Sequence, residues 1–271
     1  MRSYRMFFVT LGVLLFCSPA FAAGSPIVYV SASASSTVYK AAPPTVASAF
    51  LTDGGHQPEG MAYGPDQLIY VCEPQNGMII RFDPSLANPI ATTVFAFSET
   101  GPSKPQCGRF TSTGDLLVSD VAGTGVWEFL NMSGSANPTT INPSNILPAA
   151  KFGGTFTGAG LTQLNNGDLI VVNQANNTLY LVSYDPSAAN TTHFSSTATA
   201  ITLSSGSLDT PIGVARNSTN DIFVSQGGAT DSIVRLHLSS GTTYTPAACA
   251  TFTVVEGPNN QPNRFRFTRR K

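Results

Sequence analysis

The feature that most constrains this chain is an internal repeat close to fifty residues long, because a unit of that length cannot bury an apolar face by itself and must stack on its neighbours. Four segments superimpose. Gln57-Pro58-Glu59-Gly60-Met61-Ala62-Tyr63 leads through a turn to Leu68-Ile69-Tyr70-Val71, and Lys104-Pro105-Gln106-Cys107-Gly108-Arg109-Phe110 leads through Gly114-Asp115 to Leu116-Leu117-Val118-Ser119-Asp120. Gly158-Ala159-Gly160-Leu161-Thr162 precedes Asn166-Gly167-Asp168 and an apolar run ending at Asn173, and Thr210-Pro211-Ile212-Gly213-Val214-Ala215 precedes Asn220-Asp221 and a run ending at Ser225. The matched glycines Gly60, Gly108, Gly160 and Gly213 stand 48, 52 and 53 residues apart.

Every unit has the same internal order. A short strand opens at the glycine, and a Gly/Asn/Asp turn joins it to an apolar second strand. A third strand follows at 78–82, 125–129, 178–182 and 232–236, and a fourth at, for example, 92–97. No segment sustains a helical apolar period. Four antiparallel strands per unit of this size describe one blade of a β-propeller, so the expected fold class is all-β.

The chain ends bear on closure. Residues 27–30, 37–40 and 46–50 read as second, third and fourth strands with no first strand before them. Residues 261–267 begin a new first strand 51 residues after Gly213, with Arg264 in the glycine position. A C-terminal strand that completes the N-terminal blade closes the ring and removes its exposed edges. The expectation is therefore five blades, or six if the sequence stops short within its last blade. Arg264, Arg266, Arg269, Arg270 and Lys271 form a local basic tail at this point.

Composition places the domain. Arg2 and Arg5 precede an apolar run, and Ala20-Phe21-Ala22 supplies a small-residue cleavage site, the three-part pattern of a secretory signal peptide over residues 1–22. The run is too short to span a bilayer, which needs about 20 residues. Residues 23–271 are then a single exported domain, secreted or periplasmic, expected as a monomer without a membrane span. Charged residues make up only 11% and the net charge is −1, which argues against a nucleic-acid surface.

The pattern Pro-x-Gly-hydrophobic-Ala, a turn, and a hydrophobic strand ending near an Asp or Asn is carried by Pro58-Glu59-Gly60-Met61-Ala62 and Pro211-Ile212-Gly213-Val214-Ala215. It resembles NHL repeats over nearly the whole of residues 23–271. Relatives of that kind include protein-interaction modules, calcium-dependent lactonases of the gluconolactonase type, and streptogramin lyases. Such a fold does not by itself define an activity.

In a propeller of this strand order, the starts of first strands and the ends of second strands share one face around the central channel, where a ligand is expected. A gluconolactonase-like enzyme holds a divalent cation there with Glu, Asn and Asp oxygens, because a hard ion takes oxygen ligands. The resemblance implies Glu59, before Gly60, as the first ligand of a calcium ion, with Asp120, Asn173 and Asn263 completing the set. Against this, Ala159 and Ile212 are apolar at two of the five inner positions. The alternative is that Glu59 and Asn173 cap turns and bond backbone amides.

Of the three histidines, His56 falls in a loop on the ligand face, while His193 and His237 read as solvated surface residues. No nucleophile elbow, phosphate loop or zinc spacing is present. Cys72 ends one second strand and Cys107 begins the next blade's first strand, so the pair reads either as a disulfide between blades or as two reduced buried thiols. The expected function is a non-catalytic propeller that binds a protein, peptide or glycan on its loop face. The alternative is a metal-dependent lactonase or related hydrolase, or a streptogramin-lyase-like enzyme.

Overall fold

The computed structural model describes residues 13–15, 27–32, 35–41, 48–52, 57–96, 102–130, 132, 144–185, 193–204, 206–227, 232–240 and 243–247. They form five sheets, antiparallel but for one short added strand, that follow one another around a centre, the expected five-bladed β-propeller. Blade 1 is β1 (Val13–Leu15), β2 (Val28–Ala32), β3 (Thr37–Ala41) and β4 (Ser48–Thr52). Blade 2 is β5 (Met61–Tyr63), β6 (Ile69–Glu73), β7 (Met78–Phe82) and β8 (Thr92–Ala96). Blade 3 is β9 (Pro105–Phe110), β10 (Leu116–Asp120), β11 (Gly125–Phe129) and β12 (Ser144–Pro148). Blade 4 is β13 (Gly158–Gln163), β14 (Leu169–Asn173), β15 (Thr178–Tyr184) and β16 (Phe194–Ala200). Blade 5 is β18 (Pro211–Arg216), β19 (Ile222–Gln226), β20 (Ser232–Ser240) and β21 (Thr243–Ala247), with the short β17 (Thr202–Leu203) parallel to β21.

The first strand of each blade lies innermost, and β5, β9, β13 and β18 neighbour one another around the centre. Blade 1 departs from the sequence reading, which gives it no first strand. Val13–Leu15 pairs with β2 there, although these residues fall in the stretch read as a signal peptide. A strand needs only an open edge and an apolar, extended segment; β2 offers the edge and residues 13–15 the segment. The closing strand expected at 261–267, with Arg264 in the glycine position, lies outside the described residues.

The second strands explain why the blades stack. β6, β10 and β14 are buried at every position. Because alternate residues point to opposite faces, each of these strands serves two interfaces at once. Ile69 and Val71 meet Tyr29, Val38 and Leu51 of blade 1, whereas Tyr70 and Cys72 meet Leu116, Val118 and Phe129 of blade 3. Leu117 on the other face of β10 packs with Leu169, Val171 and Phe194 of blade 4, while Ile170 and Val172 pack with Ile222 and Val224 of blade 5. The apolar core is thus a series of seams between blades. Aromatic rings fill the wide outer part of the second seam, with Phe95 and Phe129 edge-to-face at 5.2 Å.

Two motif glycines serve the narrow inner part. Around Gly160 and Gly213 the pairing of first and second strands shifts register, so both lie in β-bulges. A Cβ added at Gly160 would stand 2.6 Å from Val214 N and 2.8 Å from Ile212 O. Only a residue without a side chain lets the inner strands of blades 4 and 5 approach this closely.

Candidate functional site: the face at the ends of the second strands

The ends of the second strands carry a position that is polar in four of the five blades. By register it is Ala32, Glu73, Asp120, Asn173 and Gln226, each at or beside the start of the β2–β3-type turn. Ser31 stands one residue earlier, in the position of Cys72, Ser119, Val172 and Ser225, and so points to the opposite face of its strand.

At three of these positions the side chain clasps the loop that enters its own blade. Asp120, fully buried, accepts from the amides of Lys104 (3.0 Å) and Ser103 (3.1 Å), from Ala122 N at 2.9 Å, and from the hydroxyl of Thr124. Asn173, also fully buried, accepts from Thr157 N at 3.0 Å and Ala175 N at 3.1 Å and donates to Thr155 O at 2.8 Å. Gln226 accepts from Asp209 N at 2.6 Å and donates to Ser232 Oγ at 3.0 Å. A backbone bond stands beside each clasp, from Val121 N to Lys104 O, Gln174 N to Thr157 O and Gly227 N to Thr210 O, each 3.0 Å. Without these clasps the loops entering blades 3, 4 and 5 would leave backbone amides without a protein partner. Asp120 and Asn173, two of the residues matched to ion ligands, thus direct oxygens at backbone amides.

The neighbouring position links blades. Ser31 Oγ donates to the carbonyl of Glu59, and Ser119 Oγ donates to the carbonyl of Ala159 at 2.5 Å, in each case the residue before the next blade's motif glycine. Cys72 takes the same position in blade 2, and the residue before the next motif glycine is Cys107. Cys72 is buried, and its Sγ lies 3.5 Å from where a Cβ on Gly108 would stand. The pairing of Cys72 with Cys107 turns on the Cys107 side chain, which lies outside the described residues, as do Asn263 and His56.

Glu59 is half-buried on the channel side, and its carboxylate accepts from Gln106 Nε2 of blade 3. The amide of Gly60 donates to Gln106 O at 2.9 Å, so this contact is part of the join between the inner strands of blades 2 and 3. Among the described residues, the single group of three His, Cys, Asp or Glu side chains close enough for one ion includes neither Glu59 nor Asp120. It is Asp115, Glu128 and His193, away from this face. His193 was read as a solvated linker residue; it is instead partly buried beside Asp115. Its Thr/Ser-rich sequence surroundings carry no sign of that.

His237 is exposed, as expected, yet it is not idle. Its Nδ1 lies 2.6 Å from Asp221, which also takes the Arg235 guanidinium at 2.5 Å and Asn217 Nδ2 at 3.0 Å. His237 foremost, and then Arg235, hold the Asp221 carboxyl well below the usual carboxylate range. On the second seam, burial pushes the Tyr70 hydroxyl up to about 12, and that group donates to Asp66 at 2.8 Å.

The fold defines the class: a five-bladed propeller of four-stranded blades. The sequence matches no protein-family model and no curated protein. Solved structures do share the fold. A putative gluconolactonase superimposes with a TM-score of 0.63 at 14% identity, covering 93% of this chain and 83% of that one. A catalytically inactive virginiamycin B lyase from Staphylococcus aureus with quinupristin superimposes with a TM-score of 0.59 at 16% identity, covering 86% and 69%. A nidogen/laminin complex gives 0.60 at 14% identity, covering 84% and 74%. The likeness read from the repeat motif, to gluconolactonase-like, streptogramin-lyase-like and interaction propellers, therefore holds at the level of fold. No helix among the described residues is long and apolar enough to cross a membrane.

Proposed function

We propose that this chain is an exported binding propeller that takes a protein, peptide or glycan on the face at the ends of its second strands. The observation that carries this reading is the set of clasps. Asp120, Asn173 and Gln226 are engaged with the loops of their own blades, which makes the face a rigid platform presenting loops. The structural likeness to a propeller-containing protein complex supports the same reading. A second reading, a calcium-dependent lactonase or a lyase-like enzyme, draws support from Glu59 at the channel wall and from the two enzyme neighbours.

The two readings separate in one set of measurements on the purified chain. Calcium titration by calorimetry, hydrolysis of a lactone panel, and binding to peptide and glycan arrays are run side by side. The binding reading expects no calcium heat, no turnover, and saturable binding to one array class. Calcium-dependent turnover that disappears in Glu59→Gln would overturn it in favour of the hydrolase.

A further inference from the structure

The seam between blades 3 and 4 brings three titratable side chains together, away from the loop face. Asp115 lies in the turn between β9 and β10, Glu128 lies on β11, and His193 immediately precedes β16. One ligand atom from each can be chosen so that all three lie within 4.8 Å of one another. Glu128 is 0% exposed and Asp115 3%. Burial at this level gives the two carboxylates a strong demand for positive charge, to which a bound ion would add beside the interactions they already make.

The third member points the same way. The Nδ1 atom of His193 is shielded from solvent and makes no hydrogen bond, although the rest of the ring retains some exposure. Its nearest charged atom is Asp115 Oδ2 at 3.9 Å, beyond hydrogen-bond range. A shielded ring nitrogen in that state carries a desolvation cost that a hydrogen bond or a metal bond would remove.

The surroundings hold these groups in place. Thr113 Oγ1 donates to Asp115 Oδ2 at 2.6 Å, and Asp115 N donates to Thr111 Oγ1 at 3.1 Å. The Tyr184 ring packs at 5.9 Å from the imidazole, and His193 O accepts from Asp185 N at 2.7 Å. Outer hydrogen bonds of this kind orient ligands around metal ions.

We infer that Asp115, Glu128 and His193 form a site for a divalent first-row transition ion, zinc foremost, that staples blade 3 to blade 4. One imidazole nitrogen with two carboxylates suits zinc, whereas calcium takes six to eight oxygens in general. Bonds of about 2.0–2.2 Å would draw the ligand atoms together by roughly 1 Å, within the reach of side-chain rotation. The partial exposure of His193 leaves the ion a way in and room for water as a fourth ligand. The competing arrangement is electrostatic. Register places Arg109 on the same face as Glu128, with Leu117 between them, so a guanidinium is the other cation available to these carboxylates. This inference is independent of the proposed ligand face, which lies elsewhere on the ring.

The test uses chelator-treated full chain, titrated calorimetrically with zinc chloride and, separately, calcium chloride. Cobalt absorption spectra report the ligand set. The expected result is one zinc per chain, a rise in melting temperature with zinc, and no comparable calcium heat. His193→Ala should weaken zinc binding at least tenfold and abolish the thermal shift, while His237→Ala, on the surface with its own aspartate, should change neither. Glu128→Gln should also weaken binding, and a circular dichroism melt establishes that the variant is folded. If it is not, the His193 pair decides alone. No zinc binding by the parent chain, or binding that survives His193→Ala, overturns the site; calcium heat lost with His193→Ala overturns the choice of metal.

Discussion

Asp120 and Asn173 show how a residue type that invites a functional reading is used by the architecture. A carboxylate that takes three backbone amides and a hydroxyl at full burial holds together the entrance to its blade. Asp120→Ala strands those donors and should cost about 2–4 kcal/mol, read as a lowered urea midpoint with an unchanged slope. Asp221 gives a pH signature. Its folded-state pKa is depressed by His237 and Arg235, so its stabilising contribution is present above the unfolded value near 4 and is lost as pH falls through the folded one. The stability gap between the parent chain and Asp221→Asn, measured by denaturation on the acid side, should therefore shrink as pH falls below about 4. Tyr70 acts at the other end of the scale. Its raised value stabilises the fold fully below pH 10, and that contribution declines between there and about 12.

At the scale of elements, the second strands were legible in sequence because burial on both faces turns them into unbroken apolar runs bounded by Gly, Asn and Asp. Leu117→Ala should cost about 2–5 kcal/mol in equilibrium unfolding, since the seam it fills is closed by Phe194 and Val171 from the next blade. Gly160→Ala should destabilise despite its small volume, because the added Cβ meets backbone and not a movable side chain. The outer strands were much less legible. In β16 only Phe194 is buried, and the polar residues around it disguise both the strand and the partly buried His193 beside it. The inner edge of blade 1 was also hidden. The apolar stretch at 13–15 fits a leader and a strand equally well, and its pairing with β2 is a long-range event that no local pattern records.

For the whole molecule, stability divides by seam. Val71 belongs to the seam between blades 1 and 2 and Ile222 to that between blades 4 and 5, with no residue shared between the two clusters. Val71→Ala and Ile222→Ala should therefore add to within about 0.5 kcal/mol in a double-mutant cycle. The repeat made the ring and its blade count legible, because periodicity and strand order are sequence properties. The site was less so, since Asp115, Glu128 and His193 come together from two blades and from separate positions in the repeat. The clasps carry one more implication. The loops that enter blades 3, 4 and 5 are each moored at the root by a side chain of their own blade, so whatever lies beyond the mooring can change in length and chemistry while the ring stays as it is. Such a surface can be diversified one loop at a time, by natural drift or by a library, with the scaffold's tolerance set by whether the residue at the root is kept.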